Sequence, residues 1–555
     1  MNDKISRRTL LRRGAGLGLA ATALPGALAA CAGSLPGATS GGTGRLPNYI
    51  AAKVPKPDEP GNHTGLASGY WHYPTDLVKS VPEVPGSGGD VTALVITYSP
   101  PPSPLSGNQY WQELNRRLGV NLQPDVVDEG DWQSKLPTVM ASGNLPDFIL
   151  LFGSVPQELA FLEDKCEDLT PYLAGDAVRQ YPNLANIPTY AWIPTSLGGR
   201  IYGLPQDRGR MGDGMFIQQN LADQAGMSQL KNTDDFTRLM QELNQPKHGR
   251  WAMGAAVNSI YNLGFFQQVF GVPNNWSVDK NGKFTSALET DGTREAVSYL
   301  RQLFQKGLFH PEANNMTTDQ AKNAFYGGQI TVYQDGFSAF QTTWHAVAAV
   351  NPGFKTRVIV PFASSGGRGS YYLGAGTFGV TALKKASKKR IEELLRVANF
   401  LAAPFGTEEY FFINNGIEGV DYTLDAHGNP LITQRGQAEM TLPIGYGGHD
   451  YITGPPWVYV DTQYPDFVRT VHQEIELQLP LGIADPSVGL YSGTAAQQGA
   501  TLAQLAVDKI SPIVAGRAPM SSYGSFLQEW RSQGGDQMRK EYQQAFSSVH
   551  KRSRT

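Results

Sequence analysis

Carboxylates are the most plentiful chemistry-bearing groups in this chain, with 49 Asp and Glu residues. A suitably spaced pair could act as acid and base on a glycosidic bond. No spacing selects one pair. Glu418, within Asn415-Gly416-Ile417-Glu418-Gly419, and Asp335 are the two that such a reading would test. Both read equally well as satisfied hydrogen-bonding residues. The 9 His residues are scattered, and no pair has metal-ligand spacing beside further ligands. The sequence contains no His-Glu-x-x-His, no Cys-x-x-Cys, no phosphate-binding Gly-x4-Gly-Lys-Ser/Thr and no Gly-x-Ser-x-Gly elbow. Gly374-Ala375-Gly376-Thr377-Phe378-Gly379 does match Gly-x-Gly-x-x-Gly. Val380–Leu383 then reads as extended, so no helix opens where a dinucleotide phosphate would need one. A turn that brings backbone close to a ligand suits it better. The residues therefore predict no catalytic group, no metal site and no cofactor.

Aromatic side chains are the other chemical resource. The chain holds 24 Phe, 24 Tyr and 9 Trp, while charged residues are only 17%. Aromatic faces hold polar but uncharged ligands well. The formal charge of −3 offers no basic field for nucleic acid. A length of 555 residues suits two or three domains.

The first thirty residues read as an address. Lys4, Arg7, Arg8, Arg12 and Arg13 face one acid, Asp3, and no charge follows from Gly14 to Ala30. This is a basic region followed by an apolar one, a secretory signal rather than a spanning helix. Ser6-Arg7-Arg8-Thr9-Leu10 resembles the twin-arginine export motif. Leu28-Ala29-Ala30-Cys31 looks like a bacterial lipobox, which would make Cys31 a lipidated N-terminus. Residues 31–50 are rich in Gly, Ser, Thr and Pro and read as a flexible tether. Loss of residues 1–30 would leave a net charge of −7. Cys166 would then have no partner within the folded part, so no internal disulfide is expected.

The folded part begins with elements that could position a site. Val91–Tyr98 is a β-branched apolar run, as a buried strand requires. Tyr110, Trp111, Leu114 and Leu118 share one helical face that stops at Gly119. A short strand at 120–127, a helix presenting Leu136, Val139 and Met140, and a strand at 147–152 complete a βαβαβ pattern. Ligands meet such sheets at the carboxyl ends of the strands, which puts Tyr98, Phe152 and Ser154 forward. Further on, Phe236, Leu239, Met240 and Leu243 form a helical stripe capped by Asn232 or Thr233. Asp279-Lys280-Asn281-Gly282 reads as a turn between extended pieces. The stretch from Asp421 to Gly493 is aromatic, turn-rich and poor in regular period.

Taken in order, several stretches resemble the family 1 extracellular solute-binding proteins of bacterial ABC importers, and most closely the large lipoprotein branch that includes aldouronate- and alginate-oligosaccharide binders. They are Trp111-x-x-Leu114 through Val120, Ala141 through Asp147, Asp168 through Leu173, Tyr181-Pro182-Asn183 and Gly199 through Pro205. Phe270 through Trp276, Gly307 through Glu312, Asn415 through Val420, and Trp530 to Glu541-Tyr542 follow. The segment 231–235 lacks the acidic calcium loop of the alginate-binding relatives, so no such metal is expected.

The resemblance implies an α/β, two-lobed, type II binding-protein fold with hinge-crossing strands and a cleft between the lobes. Lobe 1 would take 46–211 plus 360–404, and lobe 2 would take 212–359 plus 405–555. Crossings are expected near Gly203–Asp207 and Ile359–Phe362. The expected ligand-binding residues are Tyr98, Phe152, Ser154, Gln206, Asp207, Asn262, Phe266, Trp276, Asp335, Phe337, Phe378 and Trp457. Arg208 and Arg210 would serve if the sugar were a uronate. The implied role is capture of a small-molecule or oligosaccharide ligand by a monomer, for delivery to ABC permease subunits. The protein would be exported and held on the outer face of the cell membrane through Cys31. The rival readings are a secreted glycan-active enzyme, a peptide-binding importer component and an adhesive lipoprotein.

Overall fold

The computed structural model describes residues 46–98, 101–153, 155, 157–351, 353, 355–440 and 451–552. The export signal, Cys31 and most of the tether lie outside the described residues. Residues 46–50 do not behave as tether. Asn48 and Ile50 donate backbone hydrogen bonds to Gly175 (3.0 Å) and Ala185 (2.8 Å).

Two sheets organise the fold. The first has five strands in the order Asn121–Asp128, Asp90–Thr97, Phe148–Leu151, Thr377–Leu383, Gly203–Asp207. The first three are mutually parallel, and Thr377–Leu383 runs antiparallel to both its neighbours. Val91, Leu94, Val95 and Ile96 are essentially inaccessible, as expected of a strand covered on both faces. The helix Gln109–Leu118 forms where its periodicity predicts. Asn108 caps it by accepting from the Trp111 backbone N–H, and Gly119 ends it at φ 67°. That left-handed geometry favours glycine. Its buried stripe is Tyr110, Trp111, Leu114 and Leu118.

The second sheet has four strands, in the order Thr356–Val358, Asp213–Gln218, Ile330–Gly336, Trp251–Met253. Successive side chains point to opposite faces. Met215 and Ile217 accordingly enter one core, with the stripe of the helix Thr233–Leu243, and Phe216 enters another. The turn at Asp279–Gly282 joins Trp276–Val278 to Phe284–Ser286 as an antiparallel pair.

Among the described residues, the chain passes between the two lobes three times after residue 203. It leaves Gly203–Asp207 for Asp213–Gln218, returns from Thr356–Val358 to Thr377–Leu383, and crosses again between Ile452 and Val458–Val460. The third passage changes the lobe boundaries expected from sequence. Phe412 and Ile413 of the helix Glu408–Asn415, then Met440, Tyr451 and Ile452, all pack into the first core. Residues 408–440 and 451–452 therefore contribute to lobe 1, and the second lobe resumes near Tyr459, which joins the core of Phe216 and Phe340.

Regular structure also exists where periodicity is weak. Pro465–Gln478 is a 14-residue helix that buries Phe467, Val468, Val471 and Ile475. The same helix buries His472, Glu474 and Gln478, and these polar residues break its apolar stripe. Among the described residues, no helix is long and apolar enough to cross a membrane.

Candidate functional site

The carboxyl ends of Asp90–Thr97, Phe148–Leu151 and Gly203–Asp207 meet the amino end of the antiparallel Thr377–Leu383. Four side chains collect there around Phe378. Phe152 stacks on it at 4.3 Å between centroids and 9° between planes. Tyr98 meets it edge-on at 6.2 Å, and Tyr451 lies tilted at 5.0 Å. The Arg208 guanidinium sits 4.7 Å from the ring centre, within cation–π range. Phe378 is thus the hub, largely covered by its neighbours. Tyr98 is the member that faces solvent, at 45% exposure. Burial of the rest of its ring and the Glu129 charge raise its hydroxyl pKa, and Arg208 opposes them.

Gln206 and Asp207 hold the crossing segments instead of pointing into open space. The Gln206 side-chain amide donates to Thr381 Oγ1 (2.8 Å) and to the Tyr451 carbonyl (3.0 Å). The Asp207 carboxylate accepts from the Trp457 N–H (2.8 Å), the Gly209 N–H (3.0 Å) and the Tyr190 hydroxyl (3.3 Å). Both residues are buried. Desolvation pushes Asp207 up to about 6 despite these donors. Trp457 packs its ring against the third core, that of Phe216 and Phe340, and edge-on to Tyr459.

The second lobe contributes polar groups where its strands reach the first crossing. Gln334 donates to Asp213 Oδ2 at 3.2 Å. Asp335 accepts from the Gly336 N–H at 2.8 Å and lies 3.2 Å from the Lys322 ammonium. Burial raises the Asp213 carboxyl above the usual range and the Asp335 charge adds to this, while the Gln334 bond opposes it.

The structure therefore gathers Tyr98, Phe152 and Phe378 into one site, and places Gln206, Asp207 and Trp457 behind it as ties. Ser154 lies outside the described residues. Four of the expected residues are packing groups. Phe266 and Phe337 are core residues. Trp276 packs against Phe284, Trp530 and Tyr542 at the base of its hairpin. Asn262, at φ 64°, is inaccessible and donates to the Gly254 carbonyl at 2.7 Å. Tyr190, Tyr451 and Asp213 are the neighbours that the expected set omitted, whereas Arg208, put forward for a uronate, does join the cluster. Arg208 directly follows the strand Gly203–Asp207, at the first crossing where it was expected.

Glu418 is exposed in the loop before the strand Tyr422–Leu424, whereas Asp335 ends a strand of the second sheet. Among the described residues, no three His, Cys, Asp or Glu side chains stand where they could hold a metal. A groove of about 1130 Å³ runs along the edge strand Thr356–Val358 of the second sheet, and none of the aromatic cluster lines it.

The family model for bacterial extracellular solute-binding proteins matches residues 103–406. The chain belongs to this family. Among relatives of this solute-binding protein is the polygalacturonan/rhamnogalacturonan-binding protein YtcQ of Bacillus subtilis. It is 22% identical over 474 residues, covering 82% of this chain and 90% of that protein. Lipoprotein LipO of the same organism is 21% identical over 488 residues, covering 83% and 93%. Solved structures share the fold. A solute-binding protein associated with an HMO-binding ABC transporter, from Bifidobacterium longum infantis, superposes with a TM-score of 0.62 at 16% identity, covering 83% of this chain and 99% of that one. The calcium-free alginate-binding protein AlgQ2 superposes with a TM-score of 0.59 at 16% identity, covering 85% and 99%. These neighbours establish the two-lobed type II architecture.

Proposed function

We propose that this solute-binding protein captures an oligosaccharide between its lobes and delivers it to the membrane subunits of an ABC importer. The observation that carries the reading is the exposed Tyr98 ring beside Arg208, at the strand ends where the first lobe meets the crossings. A sugar ring presents an apolar C–H face to an aromatic side chain and hydroxyl edges to guanidinium, amide and carboxylate groups. Asp213, Gln334 and Asp335 supply such polar groups from the second lobe. The names of relatives support the same class. One is named for polygalacturonan and rhamnogalacturonan, and another, FusA of Streptococcus pneumoniae, for fructooligosaccharide.

Anchoring belongs to the same reading. The twin-arginine signal would export the folded chain, and Cys31 would carry the lipid that holds it at the outer membrane face. The relative named as a lipoprotein supports this.

Capture and turnover separate in one experiment. The protein is incubated with a mixed oligosaccharide pool, and both bound and free sugar are analysed by mass spectrometry. Capture returns bound sugar of unchanged chain length. Shortened products, abolished by one Asp or Glu substitution, would make the protein an enzyme instead.

A further inference from the structure

Residues 46–89 precede the first sheet and form a belt that visits both lobes. It starts on lobe 1, with Leu46 and Ile50 packed on the first core and Pro55 against Gly406. It then passes to lobe 2. Ser68–Tyr70 pairs in parallel with Val458–Val460, His472 Nε2 lies 3.0 Å from the Pro60 carbonyl, and Glu59 faces Arg469 at 3.7 Å. Leu66, Ala67 and Trp71 pack on the third core, and the Arg469 guanidinium lies 5.0 Å from the Trp71 ring centre. The belt then returns to lobe 1. The Tyr73 N–H donates to Asn429 at 3.1 Å, and Ser80 and Val81 donate to the Glu409 carboxylate at 2.8–3.0 Å.

Tyr70 belongs to both lobes. Its backbone pairs with Val460 of the second lobe, while its ring lies 4.4 Å from that of Phe405, beside the first core. The belt also touches the first crossing, where Arg210 packs on Gly65 and donates to the Thr64 carbonyl at 3.3 Å.

The links between these attachments are short. An extended residue spans at most ~3.6 Å. The five steps from Pro55 to Pro60 therefore reach no further than about 18 Å, and the three from Tyr70 to Tyr73 no further than about 11 Å. A rotation of lobe 2 that moves the Ser68–Tyr70 strand away from Asn429 must take up the second link first or break the strand pairing.

We propose that this belt is a check strap that limits how far the lobes open, with the Tyr70–Tyr73 link as its taut end. The proposal deepens the reading given above and rests on it in one respect, that the lobes open and close around a ligand. A limited opening shortens the conformational search before closure. It thereby raises the population of binding-competent states in the ligand-free protein.

Lengthening the link tests this without any ligand. Spin labels go on Asp131→Cys and Val257→Cys, exposed positions by the outermost strands of the two sheets, in a Cys31→Ser chain. Cys166 is buried, and desolvation pushes its thiol up to about 12, so it stays unlabelled. Gly-Ser-Gly is inserted between His72 and Tyr73 in one variant and between Lys56 and Pro57 in a second. A control carries the insertion after Gly226, an open turn. Three residues add up to ~10 Å of slack. The expected result is a ligand-free distance distribution extended by several ångström in the His72–Tyr73 variant and unchanged in the control. The second belt variant decides if the first fails to fold. Wild-type distributions in the folded belt variants, or equal widening in the control, would overturn the proposal. A chain that widened as expected yet bound no sugar would overturn the delivery reading and leave the strap standing.

Discussion

The Trp457 backbone N–H donates to Asp207 Oδ2 at 2.8 Å, and this bond joins the third passage between the lobes to the first. Asp207 also receives Gly209 and Tyr190, so one buried carboxylate organises three chain segments at the hinge. Its role is to fix where the crossing strands run. The aromatic cluster around Phe378 sits on the frame so fixed.

Asp207 should leave a pH signature. Its carboxyl is raised to about 6 by desolvation, above the ordinary Asp value. The folded state therefore holds a proton that the unfolded state has lost, between about pH 4 and 6. The part of the group's contribution that is linked to this proton is complete below pH 4 and disappears as pH rises through 6. The change is on the order of 3 kcal/mol across that window. Asp207→Ala leaves its donors unpaired and costs about 1–3 kcal/mol at pH 7. Denaturant unfolding from pH 4 to 7 should show the gap between wild type and Asp207→Ala narrowing as pH rises. A gap that widened with pH would contradict the assignment.

Tyr98 and Trp276 should behave oppositely, although sequence suggested the same role for both. Tyr98 is 45% exposed, so Tyr98→Ala should change stability by less than about 0.5 kcal/mol while weakening sugar binding. Trp276 is buried among Phe284, Trp530 and Tyr542, so Trp276→Ala should cost about 3–5 kcal/mol. Thermal melts paired with binding titrations of both variants check this contrast.

The difference between those residues shows what sequence could and could not convey. The helix Gln109–Leu118 was legible because its cap, stripe and stop all lie within one stretch of chain. Tyr98 and Phe152 were put forward by a topological rule, since ligands meet a parallel sheet at the carboxyl ends of its strands, and Phe378 by its Gly-rich turn. Asn262, Phe266, Trp276 and Phe337 were also put forward by position, but packing buries them, in the case of Trp276 by partners distant in sequence. Trp530 and Tyr542 cover Trp276 from more than 250 residues away. The place of 408–440 and 451–452 in lobe 1 failed to show for the same reason, because it depends on Phe412 and Tyr451 reaching a core built mostly before residue 205.

Anchoring makes a separate prediction. Cys31→Ser should move the exported protein from the membrane fraction to the soluble one, with its fold unchanged. Replacing Arg7 and Arg8 together with Lys should abolish export if the twin-arginine route is used. Fractionation with immunoblotting reads both outcomes, and continued export of the double-Lys variant would remove the twin-arginine claim.

Calorimetric titration tests the central claim most directly. Wild type and Tyr98→Ala are titrated with a panel of neutral and uronate oligosaccharides and with oligopeptides of similar mass. The account predicts micromolar or tighter binding of at least one oligosaccharide by wild type, and a tenfold or greater loss in the folded Tyr98→Ala variant. No heat with any sugar, together with saturable binding of a peptide, would contradict it.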